Sequence, residues 1–324
     1  MVMENEINIK LLSMAGQGGS AFGFCLMELI KEYDNIMVLS ADMSTPAGLD
    51  KFKATYSEHF MNVGIAEQNM IGIAAGLAEE GYKVICVAQA CFITMRCFEQ
   101  IRQFAGYMGI PMTLVGIGSG LSLQHMGNTH YALEDIALMH AIPGMRVMAP
   151  CDSLEAVKCL EAAVKNSGPT YIRMFGGTGI PVVHQQDFSF ESGKGVLLRS
   201  GRDVAILSTG SMVVQAMRAA ELLKEQGIEC AVADIHTIKP FDDYLLRGME
   251  TKKMIVTVEE HRHTGGLGCV VAERLQDLKF KTRLLRLAVA ADFPQPGSYQ
   301  SMLEETGLSA PQIAKKIKEV YCAC

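Results

Sequence analysis

The residues best placed to do chemistry lie in one segment, 40–81, which reads SADMSTPAGLDKFKATYSEHFMNVGIAEQNMIGIAAGLAEEG. Glu67 opens a predicted helix whose body, MIGIAAGLA, is almost wholly apolar. The helix dipole stabilises a carboxylate at the N-terminus, and an acid in the first turn helps the helix to start. Taken alone, Glu67 is therefore best explained as a structural acid.

Other side chains with chemical potential also have simple structural explanations when each is taken alone. Asp42 follows a predicted strand and could cap its end, and Phe92 is typical of a core. His130 is a lone loop histidine, while Arg96 and Gln100 share one predicted helix. Residue type and spacing alone do not assign any of them a function.

Short apolar strands alternate with segments of helical period along the chain. In the first part the predicted strands are 36–41, 83–88, 112–117, 146–149 and 170–174, and the predicted helices are 21–32, 67–79, 96–108, 133–140 and 154–166. Near-continuous apolar strands between helices predict a parallel sheet that is covered on both faces. Ser153 is the predicted N-cap of the last of these helices.

A polar stretch, HQQDFSFESGKG at 184–195, is the predicted linker to a second set of elements. There the predicted strands are 204–207, 230–234, 254–258 and 284–287, and the predicted helices are 213–225, 270–276 and 311–320. The predicted fold class is α/β, with two domains, 1–190 and 191–324, each a mainly parallel sheet flanked by helices.

Composition narrows the class of protein. The chain has 324 residues with a net charge of -6 and no basic cluster, which argues against a nucleic-acid partner. Its longest apolar runs, about eight to ten residues, are too short to span a membrane. The N-terminus lacks a secretory pattern, so we expect a cytoplasmic protein. The ten scattered cysteines are expected to be reduced and mostly buried, with the C-x-C tail of Cys322 and Cys324 frayed.

The segment NVGIAEQNMIGIAAGLA resembles the signature of the transketolase pyrimidine-binding domain, which deoxyxylulose-phosphate synthases share. The resemblance continues through LSADM, FITMRCFEQIR, GNTHYALEDIALMHAIPGMRVMAPCD and PTYIRM. TIKPFD and VEEHRHTGGLGCVVAE resemble the transketolase C-terminal domain. The motifs occur in the family's order, which implies both folds in one chain.

This resemblance implies a thiamine diphosphate enzyme that transfers a two-carbon ketol unit from a ketose to an aldose. The equivalent of Glu67 hydrogen-bonds N1′ of the cofactor's aminopyrimidine ring, and His130 is the candidate for proton transfer. Asp42, Phe92 and Arg96 are the implied cofactor contacts, with Phe92 packing on the aminopyrimidine. Gln124, His125, His130 and Arg173 are the implied substrate contacts.

The resemblance also implies a partner chain. The family holds the diphosphate through Mg²⁺ (or Ca²⁺) at a Gly-Asp-Gly segment on another domain, and this sequence has no Gly-Asp-Gly. We therefore expect an N-terminal transketolase subunit that carries this domain, in an α2β2 assembly. The apolar helix after Glu67 is expected at the subunit interface.

The loop that should bind the sugar departs from the family pattern. Where transketolases have GEDGPTH, this chain has LQHMGNTH, so Met126 stands at the position of an aspartate that contacts the donor sugar. A loop histidine of the family corresponds to Gly118, and one phosphate-binding arginine is lost in GQGGSAFG, whereas Arg173 matches the other. These changes predict a non-standard sugar or sugar phosphate, such as a sulfonated or branched one.

Two alternatives remain open at this point. A β subunit of a 2-oxo acid dehydrogenase has a similar length and the same domains, although GIAEQN and TIKPFD favour transketolase. A non-catalytic subunit could tolerate the altered sugar loop, but it would not need Glu67, Phe92 and His130 together. The H-x-H of His261 and His263 permits a metal site, but a turn that packs the two domains together is the better explanation.

Overall fold

The computed structural model describes residue 12 and residues 15–177, 181–290 and 292–323. Within these residues there are twelve strands: β1 (Ile36–Ser40), β2 (Phe60–Asn62), β3 (Lys83–Gln89), β4 (Thr113–Ile117), β5 (Arg146–Met148), β6 (Thr170–Met174), β7 (Val196–Arg199), β8 (Val204–Ser208), β9 (Cys230–Asp234), β10 (Thr237–Lys239), β11 (Met254–Arg262) and β12 (Arg283–Val289).

Helices cover both faces of the sheets that these strands form. The α-helices are Phe22–Glu32, Asp50–Thr55, Glu67–Glu79, Ala90–Met95, Phe98–Ile101, Asp135–His140, Ser153–Lys165, Met212–Lys224, Asp243–Arg247, Leu267–Asp277, Tyr299–Glu305 and Ala310–Cys322. A π-helical turn, Gly16–Ala21, precedes the first of them, and another, Arg102–Tyr107, follows Phe98–Ile101.

Two sheets, each mainly parallel, form the framework and confirm the predicted α/β class. The first has the order β10-β5-β6-β4-β3-β1-β2, and the second has the order β12-β11-β8-β9-β7. The edge strands β10 and β7 are antiparallel to their neighbours, and all other pairs are parallel. Apolar clusters pack on both faces of each sheet, as parallel sheets require.

The two halves of the chain interlock more closely than the sequence suggested. Strand β10 comes from beyond the linker and yet pairs with β5 at the edge of the first sheet. The predicted linker forms neither helix nor strand, but Phe188 and Phe190 pack against the first core. The Phe188 ring stacks on His184 at 3.8 Å, and Phe190 stacks on His236 at 4.3 Å. The linker is therefore a packed strap, and the proposed boundary at 190/191 lies within it.

Several sequence predictions need correction. The helix Ser153–Lys165 is capped by Asp152, whose carboxylate accepts from the Glu155 backbone N–H at 2.9 Å, and not by Ser153. Asp and Ser are both favoured N-caps, so the register was ambiguous by one residue. The helix Ala90–Met95 lies where the sequence predicted no element, because its apolar residues continue directly from β3. Among the described residues, no helix is long and apolar enough to cross a membrane.

Candidate active site

The side chains singled out from the sequence gather at one edge of the first sheet. Strands β1, β3 and β4 run parallel, so their carboxyl ends share an edge. Asp42 follows β1, the helix carrying Phe92 follows β3, and the loop 118–132 follows β4. This edge is where open α/β sheets bind their ligands.

Glu67 and Arg96 form the polar centre of this edge. Glu67 is the first residue of its helix and is only 4% exposed. Its carboxylate contacts Arg96, which is partly exposed to solvent. Arg96 Nη1 donates to both carboxylate oxygens of Glu67, at 3.0 Å each. The Gln68 side chain donates to the Arg96 carbonyl at 2.9 Å and ties the two helices together. The arginine side chain is 45% exposed, so one face of the pair is open to other molecules.

Phe92 lies between Arg96 and His130. Because Phe92 and Arg96 are four residues apart along one helical path, they share a face. The Arg96 guanidinium carbon lies 3.9 Å from the Phe92 ring centroid, a cation–π contact. The His130 ring packs edge-on against Phe92 with centroids 5.3 Å apart. The structure therefore brings Glu67, Arg96, Phe92 and His130 into one continuous row.

The loop that carries His130 is fixed at its base. Gly120 and Ala132 exchange backbone hydrogen bonds of 3.0 and 3.1 Å, which closes the loop onto the sheet edge. His130 Nδ1 lies 2.9 Å from the Thr129 hydroxyl, which orients the imidazole. The other ring nitrogen, Nε2, is then the one available for proton transfer. Thr129 was not recognised from the sequence, because an adjacent hydroxyl carries no distinctive signal.

Asp42 is held in a conformation that few residues adopt. Its φ of 55° is left-handed, and its side chain is exposed. Asn62, on β2, stabilises this turn: its amide donates to the Asp42 carboxylate at 3.3 Å and accepts from the Asp42 backbone N–H at 3.1 Å. Strained backbone at a sheet edge often marks a functional position. Asn62 was also missed, since the pair is far apart in sequence.

Gln124 and His125 lie on a short 3₁₀ turn, Gln124–Met126, further along the same loop. Gln124 has a φ of 46°, and its backbone carbonyl accepts a hydrogen bond from the Tyr131 hydroxyl. Gln124 lines a cleft together with Phe175 and Tyr299, and His125 is exposed. Their substrate roles stay predictions.

Arg173 lies near the carboxyl end of β6, buried where the two domains meet. It is 3% exposed, and its Nε donates to Asp135 at 2.8 Å. Its Nη2 donates to the carbonyls of Ala132 and Glu260 at 3.1 and 2.8 Å. These bonds join the first domain to β11 of the second, so Arg173 has a structural role. Its role as a phosphate contact stays a prediction.

The turn around His261 also joins the domains, as predicted. His261 is fully buried, and its Nε2 accepts a hydrogen bond from the Ala137 backbone N–H at 3.3 Å. Burial lowers the pKa of His261, which favours the neutral imidazole that this acceptor role requires. Next to it, burial raises the pKa of Glu259 to about 7, while its oxygens accept from Leu267 and Gly268 at the start of a helix.

The cysteines that the structure describes are all free, and seven of them are buried. The buried ones are Cys25, Cys86, Cys91, Cys97, Cys151, Cys159 and Cys230. The prediction of reduced, mostly buried thiols is thereby confirmed for these residues. Cys322 is exposed, and Cys324 lies outside the described residues.

Comparison with known proteins agrees with this architecture along almost the whole chain. The transketolase pyrimidine-binding domain matches residues 17–175, and the transketolase C-terminal domain matches residues 193–313. A protein of Methanocaldococcus jannaschii described as a transketolase C-terminal section is 38% identical over 96% of this chain and 98% of its own length. A 6-deoxy-6-sulfo-D-fructose transketolase subunit of Clostridium sp. (strain MSTE9) is 35% identical over 91% of each chain.

A solved structure shows the same likeness in three dimensions. It is a split-gene transketolase in an inactive beta4 tetramer, with a TM-score of 0.85 and 34% identity, and the match covers 94% of this chain and 97% of the other. The chain therefore belongs to the transketolase family, and it corresponds to the C-terminal subunit of the members that are split into two chains.

Proposed function

We propose that this chain is the subunit of a thiamine diphosphate-dependent transketolase that supplies Glu67 and depends on a partner for the diphosphate site. The partner is an N-terminal subunit that holds the diphosphate and its Mg²⁺ (or Ca²⁺). The complex, of α2β2 form, transfers a two-carbon ketol unit from a ketose to an aldose.

The observation that carries this proposal is the stack of Arg96 on Phe92 beside the Glu67 carboxylate. The Arg96 guanidinium is a planar group with N–H donors, and its carbon lies 3.9 Å from the Phe92 ring centroid while it donates to a buried carboxylate. An aminopyrimidine ring has the same shape and the same kind of donors. We therefore infer that the cofactor's pyrimidine would take the place of the Arg96 guanidinium between Glu67 and Phe92, and that the arginine side chain, which is 45% exposed, would turn toward solvent.

Each side chain then has a definite task. When bound, the cofactor stabilises the negative charge that develops as the two-carbon unit leaves one sugar and joins another. Glu67 holds a proton at the ring nitrogen, and Phe92 orients the ring by packing on it. His130, fixed through Nδ1 by Thr129, gives or takes a proton at Nε2 near the sugar. Asp42 faces the same edge from the turn after β1.

The surface around Glu67 has the character of a subunit interface. Ile65, two residues before Glu67, is 76% exposed, and Tyr107 and Met108 in the same domain are 84% and 57% exposed. Exposed large apolar side chains of this kind are typical of protein–protein contact surfaces. On the helix Glu67–Glu79, Gly72 and Gly76 face open space, with no atom within 4 Å of where a Cβ would be. Glycine inside a helix costs about 1 kcal/mol relative to alanine, so close approach of another chain is a physical reason for both.

The substrate proposed for the complex is a non-standard sugar. The turn Gln124–Met126 exposes Met126, at 51%, where a standard transketolase presents an aspartate to the donor sugar. The relative named for 6-deoxy-6-sulfo-D-fructose supports a sulfonated sugar as one candidate. An apulose-4-phosphate transketolase subunit of Phocaeicola vulgatus, 34% identical over 82% of this chain, supports a branched sugar phosphate as the other.

Co-expression with the N-terminal subunit tests this function directly. The purified complex would be assayed for ketol transfer with a panel of sulfonated, branched and standard ketoses, with and without thiamine diphosphate and Mg²⁺. We expect cofactor-dependent transfer with a higher kcat/KM for a sulfonated or branched donor. A clear preference for xylulose 5-phosphate would refute the substrate proposal, and absence of transfer with every donor would refute the catalytic one.

A further inference from the structure

Away from the candidate active site, four side chains with metal-binding atoms meet inside the domain junction. They are Cys151, Glu155, His184 and Asp234, and one ligand atom from each lies within 4.8 Å of all the others. None is more than 6% exposed. They come from the turn after β5, the helix Ser153–Lys165, the strap between the domains and the end of β9.

The polar atoms that face this point have ion-pair neighbours but lack the hydrogen bonds that buried groups normally make. His184 Nε2 lies 3.5 Å from Glu155 Oε1 and 3.5 Å from Asp234 Oδ2. Both separations exceed the 2.7–2.9 Å or so of a charge-assisted hydrogen bond. Within the described residues, His184 Nε2, Glu155 Oε1 and both carboxylate oxygens of Asp234 make no hydrogen bond. A protonated His184 would pair with both carboxylates only at 3.5 Å, and a bound metal ion at this point would satisfy them more fully.

The ligands are held in place by a surrounding set of contacts. The second oxygen of Glu155 accepts from the Cys151 backbone N–H at 2.7 Å. The Asp152 carboxylate accepts from the backbone N–H groups of Val183 and His184, at 2.9 Å each, and so fixes the strap. The His184 ring stacks on Phe188 with an interplanar angle of 15°. Such outer contacts orient ligands in established metal sites.

The donor set selects the kind of ion. One sulfur, one imidazole nitrogen and two carboxylate oxygens do not suit Mg²⁺ or Ca²⁺, which prefer oxygen ligands alone. Four protein ligands that include cysteine and histidine suit tetrahedral Zn²⁺, and a closed, buried set is typical of structural sites. We propose that Cys151, Glu155, His184 and Asp234 bind one zinc ion, which fastens the strap and the second domain to the first.

Zinc at this point would act on stability rather than on the transfer reaction. Binding would take the proton from the Cys151 thiol and release it to solvent, leaving a thiolate ligand. The ion would bind carboxylate oxygens that otherwise make no hydrogen bond, from Glu155 in the first domain and Asp234 in the second. Since the ligands are spread from 151 to 234, no short cysteine or histidine spacing could indicate the site in the sequence.

Metal analysis of the full chain tests the proposal. The chain is stripped with a chelator, reloaded with Zn²⁺, passed over a desalting column and analysed by mass spectrometry for metal content. We expect one zinc per chain and a melting temperature that rises on reloading. Loading with Co²⁺ instead should give a thiolate-to-cobalt charge-transfer band, which reports a cysteine ligand in the wild-type chain.

Two variants separate this site from adventitious binding. Cys151→Ala should lose the charge-transfer band and the bound metal, while Cys322→Ser, a change at an exposed cysteine, should keep both. A wild-type chain that holds no metal and melts at the same temperature with and without Zn²⁺ would overturn the proposal. So would loss of the band in Cys322→Ser with retention in Cys151→Ala. If Cys151→Ala does not fold, the wild-type reloading and Co²⁺ spectrum still decide.

Discussion

The candidate active site and the domain junction use the same kinds of residue in opposite ways. At the junction, the ion pair of Arg173 and Asp135 is buried, and its hydrogen bonds are supplied by this chain. At the sheet edge, the ion pair of Arg96 and Glu67 has a buried acid but a half-exposed base. A buried ion pair bonded within one chain holds the domains together, whereas a pair with a half-exposed base is available to a ligand and a second chain.

Glu67→Gln is expected to have the largest effect, and it should change catalysis far more than stability. The amide keeps the shape but cannot hold the proton required at the cofactor, so we expect kcat of the complex to fall by about 10²- to 10⁴-fold. Since the pair with Arg96 is half-exposed, stability should change by no more than about 1 kcal/mol. Steady-state kinetics and thermal melting measure both. Glu79→Gln, at the other end of the same helix, is the matched control and should leave kcat unchanged.

Arg173→Met should instead lower the stability of the chain. It leaves the Asp135 carboxylate buried with only the Tyr171 hydroxyl as a side-chain donor, at 2.8 Å. Breaking a buried pair in this way costs about 3–5 kcal/mol, which denaturant unfolding of the chain would measure. If stability is unchanged and only KM for a phosphorylated sugar rises, Arg173 is a phosphate contact after all.

Gly76→Leu tests whether the open face of the helix is an interface. Gly76 is exposed, and a Cβ built there has no neighbouring atom within 4 Å beyond its own helix backbone, so the free subunit should fold normally. Against a closely approaching partner it should weaken assembly by at least about tenfold, measured by analytical ultracentrifugation. Glu221→Leu, an exposed helix position on the second domain, serves as the control and should assemble as wild type does. Equal assembly of the two variants would place the interface elsewhere.

Arg96→Met tests whether Arg96 occupies the cofactor's place in the free subunit or contacts the bound cofactor. If the guanidinium occupies the pyrimidine's place, removing it should tighten thiamine diphosphate binding by the complex several-fold. Calorimetry of cofactor binding gives the answer. Clear weakening would instead make Arg96 a direct cofactor contact, as the family resemblance implies.

The smallest expected change concerns the sugar. Met126→Asp restores the acidic group that other transketolases present, and one new hydrogen bond to a sugar hydroxyl is worth about 1 kcal/mol. We expect kcat/KM for xylulose 5-phosphate to rise by about fivefold relative to the preferred sugar. No change in that ratio would mean that this turn does not contact the donor.

Much of the fold could be predicted because its signals are local. The helix Glu67–Glu79 and the strands β6 and β9 have the predicted bounds, since each is a regular apolar run with clear ends. Strand β10 could not be predicted to join the first sheet, because three residues carry little pattern and their pairing depends on tertiary contacts. Asp152 could not be predicted as the N-cap either, because the adjacent Ser153 is an equally favoured cap one residue later.

The candidate site divides in the same way. Three separate family motifs pointed to Glu67, to Phe92 and Arg96, and to His130, and the structure places these four in one row. Sequence could not show that Arg96 stacks on Phe92, that Asn62 holds Asp42, or that Arg173 is buried. These facts depend on side-chain directions and on contacts between distant segments.

The most direct test of a split active site is calorimetric titration of thiamine diphosphate, with Mg²⁺, into this chain alone and then into its complex with the N-terminal subunit. If the diphosphate site belongs to the partner, tight binding appears only in the complex and is weakened by Glu67→Gln. Tight binding to the isolated chain would contradict the two-chain proposal, because the chain would then hold the diphosphate itself.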